Sequence, residues 1–313
     1  MDYSTSWSYN SSSMFLVTVL LLLIIQGGAA ATFKVINKCG FTVWPGILGS
    51  PQLDTTGFEL RQGGSRSLQV PTGWSGRVWG RTGCSFDSAT GQGSCSTADC
   101  NSGNVECKGA TATPPATLAE FTLGSQGSLD YYDVSLVDGY NLPMIVEVIG
   151  GSAGSCKSTG CLEDINRLCP AELRVEGGIA CRSACDAFGK PEYCCQGAFA
   201  SPATCKPSQY AQIFKNACPK SYSYAYDDAT STFTCSAAGY TITFCPNSAS
   251  LKSARDSSSQ NPAFGSGSAI GTSTNDYPDS WLVDLATGDA PIAGSPLSVI
   301  RLTIIVAISI LCC

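Results

Sequence analysis

Gly91-Gln92-Gly93-Ser94-Cys95-Ser96-Thr97-Ala98-Asp99-Cys100, followed by Gly103 and Cys107, is the densest signal in the chain. Its glycines open backbone conformations closed to other residues, and each of its three cysteines can close a short ring. The stretch therefore reads as a pair of tight crosslinked loops, with Asp99 as a turn former rather than a ligand. Outward from it, sixteen of the chain's eighteen cysteines lie between Cys39 and Cys245, an even number. Behind an export signal such thiols are expected to be oxidised in pairs. Metal binding is the other use of so many thiols. The chain has no histidine and no paired CxxC knuckles, so no metal and no cofactor are expected.

The missing histidine excludes more than zinc. Neither a Ser-His-Asp nor a Cys-His nucleophile system can be built, so any hydrolysis must run on carboxylates. Eighteen Lys and Arg against 24 Asp and Glu leave a net charge of −6. With no basic run to neutralise phosphates, nucleic acid is set aside as a partner.

Both ends read as processing signals. Met14 to Ile25 (MFLVTVLLLLII) is uncharged and too short to span a bilayer comfortably, but it suits the apolar core of a secretory signal. Gly28-Ala29-Ala30 then marks a cut, giving a signal peptide over 1–30, although Met1 to Ser13 carries no Lys or Arg. Gly27 to Ala31 argues against a buried core helix there. At the other end, composition turns to Ser, Gly, Asn and Ala after Cys245-Pro246, and 247–294 reads as a flexible linker. Residues 295–313 end in LTIIVAISILCC, behind small residues at Gly288-Asp289-Ala290 and Ala293-Gly294-Ser295. That is the pattern of a glycolipid (GPI) attachment signal, with a short membrane anchor or a harmless apolar tail as rivals.

Residues 31–246 are expected to form one domain, mainly β, an antiparallel sandwich with a disulfide-rich loop and helix lobe. Strands are predicted at Thr32–Asn37, Ser67–Val70, Arg77–Arg81, Thr117–Leu123, Tyr131–Leu136, Met144–Val148 and Tyr240–Phe244, each bounded by turn residues. One helix is predicted over Pro207–Ala217, capped by Ser208, with Tyr210, Ile213, Phe214 and Ala217 on one face. Nine cysteines crowd the 63 residues from Cys156 to Cys218, where strand-like runs are few. Such a lobe buries too little apolar surface to stand alone and is stapled instead. Two lobes imply a crevice between them. Trp44, Trp74 and Trp79 are expected to pack rather than to form a sugar platform.

The opening stretch matches the signature G-x-G-x-C-x-T-A-D-C of the thaumatin family at every constrained position, and the chain resembles that family from about Ala31 to Pro246. Further blocks carry the likeness: Pro114–Phe121, Tyr132–Pro143, Cys194-Cys195 and Asp227–Phe233. The resemblance is to the pathogenesis-related group 5, antifungal type, in a GPI-anchored variant. It implies eight disulfides: Cys39–Cys245, Cys84–Cys95, Cys100–Cys107, Cys156–Cys235, Cys161–Cys218, Cys169–Cys181, Cys185–Cys194 and Cys195–Cys205. It also implies an acidic cleft formed by Arg77, Glu120, Asp133, Asp138 and Asp227. Asp133 and Asp138 are five apart, so a turn or bulge must intervene if both face one groove. Crowded carboxylates repel, which raises at least one pKa, while the guanidinium lowers that of its nearest partner.

What the resemblance implies is a monomeric plant defence protein, outside the cell or held on its surface by the lipid anchor. It would bind β-1,3-glucan or fungal wall polysaccharide. The alternatives are a weak endo-β-1,3-glucanase, with Glu120 and Asp138 as acid and as nucleophile or base, and a membrane-permeabilising antifungal protein. The chain's acidity argues against attack on anionic lipids. The bland alternative is a structural ion-pair network.

Overall fold

Ala31–Asn37 (β1) sets the pattern of the first sheet: Phe33 and Val35 are buried while Lys34 points to solvent, as strand alternation demands. This computed structural model describes residues 31–246 except Gln126 and Ala238. The predicted export signal, linker and anchor signal lie outside the described residues. The strands that follow are β2 Trp44–Ser50, β3 Ser65–Val70, β4 Ser75–Arg81, β5 Ser85–Phe86, β6 Gly93–Ser94, β7 Leu118–Thr122 and β8 Asp130–Ser135. After them come β9 Met144–Ile149, β10 Thr159–Cys161, β11 Phe233–Cys235 and β12 Gly239–Phe244. Helices are short: α1 Ala184–Phe188, α2 Pro191–Cys194, α3 Gln209–Ala217 and α4 Asp228–Ser231.

Two five-stranded sheets pack face to face, in the orders β10-β9-β12-β1-β3 and β11-β8-β7-β4-β2. All their pairings are antiparallel except β1 with β12, which run side by side. That one parallel pair has a covalent counterpart. Cys39 and Cys245 follow the two strands at the same end and are joined there, closing a loop of sequence separation 206. All eight pairs that the resemblance implies are closed.

The strand predicted from every alternating run forms within two residues of its expected ends. Trp44–Ser50 was missed, because Pro45 and two glycines demote a run as a strand. It sits at the edge of its sheet, where Pro45 loses no ladder bond it needs. Gly46 is required by its neighbour across the strand: a Cβ there would stand 2.4 Å from the Trp79 ring.

The two sheets differ in what covers them. β3 alternates between exposed and buried, but β4, β7 and β8 are buried almost throughout. Val78, Ala119, Phe121, Tyr132 and Val134 fill the inter-sheet core with Phe33, Val35, Tyr240 and Ile242. The other face of the second sheet therefore lies under the crosslinked lobe, whose own core gathers Leu136, Tyr140, Phe214 and the half-cystines Cys161, Cys169, Cys181 and Cys218. Polar residues on that face are taken out of water. In the lobe, α3 starts where predicted: the Ser208 hydroxyl accepts from the Ala211 N–H at 3.1 Å.

Candidate functional site

Arg77, Glu120 and Asp133 stand on three adjacent strands in one row. Arg77 is the cross-strand partner of Glu120, and Glu120 that of Asp133. Neighbours opposite each other lie within side-chain reach. Their alternate neighbours Val78, Ala119 and Val134 point to the inter-sheet core, so the charged row faces the lobe. All three are almost fully buried, at 2%, 4% and 5% exposure.

The guanidinium Nη2 of Arg77 lies 3.4 Å from Oε1 of Glu120, an ion pair without hydrogen-bond alignment. Arg77 Nη1, Glu120 Oε1 and Asp133 Oδ2 have no hydrogen-bond partner among the described residues. Burial pushes Glu120 up to about 7, against the pull of Arg77 and with a push from Asp138. Asp133 is raised well above the usual carboxylate range, first by burial and then by Glu120, with Asp228 adding to it. Desolvation outweighs one guanidinium shared among several acids.

Asp138 stands beyond the end of β8, on a turn in which the Gly139 N–H donates to the Leu136 carbonyl at 3.0 Å. That is the turn which the five-residue spacing from Asp133 demanded. Gly139 has φ +88, and a Cβ there would meet the Cys181 carbonyl at 2.7 Å, so the turn is built for glycine. Asp138 is half-buried and raised to about 6, by burial against Arg77 and then by Asp186.

The pair Asp227-Asp228 divides its labour. Asp227 is tied into the lobe: Oδ2 takes Lys215 Nζ at 2.9 Å, the Ser223 N–H at 3.0 Å and the Ser223 hydroxyl at 2.9 Å. Asp228 accepts from the Tyr222 hydroxyl at 2.8 Å, and that hydroxyl also bonds Thr232. Tyr222 is anchored along the end of β8, its N–H on Val134 O and its carbonyl on the Leu136 N–H, each 2.9 Å. It is Asp228, not Asp227, whose charge acts on Asp133. Asp186, exposed at the start of α1 and acting on Asp138, was not foreseen either. No residue pattern distinguishes these acids from solvated ones; only the folded path of the lobe does.

Other charged groups on or near the sheet are structural. Arg81, fully buried on the same face, donates to the carbonyls of Trp44, Pro45, Asn104 and Val105, and burial lowers it to about 10. Asp130 accepts from the Gly124 N–H at 2.8 Å and the Tyr240 hydroxyl at 2.7 Å. Trp74 and Trp79 are fully buried, as expected, whereas Trp44 is half-buried. Among the described residues no group of His, Cys, Asp and Glu is placed to hold a metal ion. Beside the Asp138 turn, a shallow depression runs from Leu136 and Val137 to Ser183, Tyr193, Tyr210 and Tyr224 of the lobe.

Fold and site together define a disulfide-stapled β-sandwich with a carboxylate-rich face under its second lobe. A profile described as the Thaumatin family matches residues 37–246, and the chain belongs to that family. It is 65% identical over 225 residues to Thaumatin-like protein 1 of Arabidopsis thaliana, covering 69% of this chain and 86% of that one. Pathogenesis-related protein 5 of Arabidopsis thaliana is 52% identical over 242 residues, 76% of this chain and 99% of its own. A protein of Prunus avium named glucan endo-1,3-beta-glucosidase is 53% identical over 225 residues, covering 69% and 91%.

Proposed function

We propose that the chain is a plant defence protein that binds β-1,3-glucan or a related wall polysaccharide at this acidic face. Arg77, Glu120 and Asp133 form the floor, and Asp138, Asp228 and Asp186 the accessible rim. Asp228 takes the fifth place assigned to Asp227 by motif, since Asp227 is consumed by Lys215 and Ser223. The observation that carries the reading is the set of unpaired polar atoms on Arg77, Glu120 and Asp133 in one cross-strand row. Hydroxyls both donate and accept, so a sugar chain can satisfy carboxylates and guanidinium together. The names of the pathogenesis-related and glucosidase relatives agree with it. The test is retention on insoluble β-1,3-glucan: Asp138→Asn and Asp228→Asn should each lose it, and retention by both variants would end the proposal.

A second reading, weak endo-β-1,3-glucanase activity, is favoured by one observation. Glu120 at about 7 and Asp138 at about 6 would hold one proton between them in the interval between those values. Glycoside hydrolysis needs that division into an acid and a base or nucleophile. Glu120 would protonate the leaving oxygen and Asp138 act opposite it. Binding stays ahead because it needs no proton transfer from Glu120, and the half-buried Asp138 and Asp228 can meet sugar hydroxyls directly. Release of reducing ends from laminarin, peaking between about pH 6 and 7 and abolished by Glu120→Gln, would establish turnover.

Eight disulfides fit an oxidising compartment, so the proposed place of action is outside the cell. The tail over 295–313 would be exchanged for a GPI lipid, which would hold the protein there. Phospholipase treatment of plant cells should then release it.

A further inference from the structure

A groove of about 760 Å³ lies at the opposite end of β4 from Arg77. Trp44 pairs with Arg81 and Leu48 with Arg77, so the groove's rim is four residues, about 13 Å, along the strand from the acidic site. Its apolar walls are Phe41, which is 50% exposed, Trp44, Pro143 and Ile179, which is 44% exposed. Phe86 backs the Trp44 indole, with ring centroids 6.4 Å apart. The polar side chains are Thr42, Thr82, Asn141, Asp164 and Asn166, of which Thr82 is bonded to Thr97 and Asn141 to Gly80 and Thr97, and no Lys or Arg is among the lining residues.

Asn166 says what the groove asks for. Its Nδ2 donates to the carbonyls of Asn141 and Ile179, each at 3.1 Å. Both partners can only accept, so the amide cannot be turned the other way round. The remaining Oδ1 is buried with no partner among the described residues. It is an acceptor without a donor, in a groove that Phe41 and Trp44 also line. An anion would find no cation here, and a purely hydrocarbon ligand would leave Oδ1 unpaired. A cation would be drawn to Asp164, but that carboxylate is exposed and its attraction is screened by salt. A pyranose ring meets every requirement: its C–H face lies against Trp44 or Phe41, and its hydroxyls donate to Asn166 and Asp164.

We propose that this groove is a second carbohydrate site, taking a neutral oligosaccharide by stacking on Trp44 and Phe41 and by hydroxyl donation to Asn166. The site is independent of the acidic face. With both occupied, one protein would hold a wall polysaccharide at two points, which raises retention by effective concentration.

The test is a titration of the isotope-labelled full chain with hexaoses of β-1,3-glucose, β-1,4-glucose and β-1,4-xylose. At least one should shift the Trp44 indole and Asn166 amide signals. Phe41→Ser and Trp44→Leu should each weaken that binding about tenfold, and Glu120→Gln should leave it intact. Should Trp44→Leu fail to fold by circular dichroism, Phe41→Ser carries the test, since half its ring is already in water. No groove shift with any of the three sugars at millimolar concentration overturns the proposal. So does a groove that answers a tetralysine peptide and no sugar. Shifts confined to the Asp138 and Asp228 region and lost in Glu120→Gln remove the groove and leave the acidic site standing. Groove shifts with no response at those acids do the reverse.

Discussion

Glu120 carries most of the pH behaviour expected of the site. Its folded value of about 7 exceeds the ordinary 4.5, so the folded state binds more protons than the unfolded one between those values. Its contribution to stability is fully present below about pH 4.5 and is lost as pH rises through about 7. Asp138 and Asp133 are raised too and act in the same direction. Denaturant titrations at pH 5 and pH 7.5 should show lower stability at the higher pH. Glu120→Gln should shrink that difference by roughly 1–3 kcal/mol; an unaltered difference would mean that Glu120 titrates normally. The two neighbouring aspartates separate in the same kind of experiment. Asp227→Asn removes the charge that pairs with Lys215 and weakens the bonds from Ser223, and should cost about 1–3 kcal/mol of stability. Asp228→Asn should show its main effect in glucan retention.

At the scale of the element, strands and the one longer helix follow from local pattern. Ser208→Ala removes the hydroxyl that accepts from Ala211 N–H and should cost about 1 kcal/mol. Its position was legible because a capping hydroxyl precedes residues that share a face. β2 was not legible. Its proline and glycines are explained by its edge position and by the Trp79 ring above Gly46, both of which are facts of packing. Gly46→Ala should accordingly lower stability by about 1–3 kcal/mol, read as a lowered melting temperature. No change would show that the indole can move aside. The Asp138 turn lies between these cases: spacing required a turn after β8, and Gly139 supplies the φ of +88 that makes it.

For the molecule as a whole, the bond between Cys39 and Cys245 ties the first strand to the last. A loop of separation 206 is worth roughly 5 kcal/mol by chain entropy, and less here, because seven other bridges already restrict the unfolded chain. Replacing both cysteines by serine should lower the melting temperature markedly and free β12 from β1 first, which hydrogen exchange would register as lost protection at Ile242 and Phe244. Equal protection with and without the bridge would show that packing alone holds the parallel pair.

Sequence alone was enough for whatever depends on local spacing. It yielded the alternating strands, the capped helix, the signature loops around Cys95 and Cys100, and the absence of any imidazole chemistry. Arg77, Glu120 and Asp133 were nominated by the family resemblance, and the register of β4, β7 and β8 is what brings them into one row. Tertiary structure decided which acid meets which partner. Asp227 or Asp228, the approach of Asp186, and the contrast between a buried Trp79 and a half-exposed Trp44 depend on how the crosslinked lobe and the loops lie against the second sheet. Charge interaction and burial act through space, and two adjacent residues with the same side chain differ in nothing until the backbone points them apart.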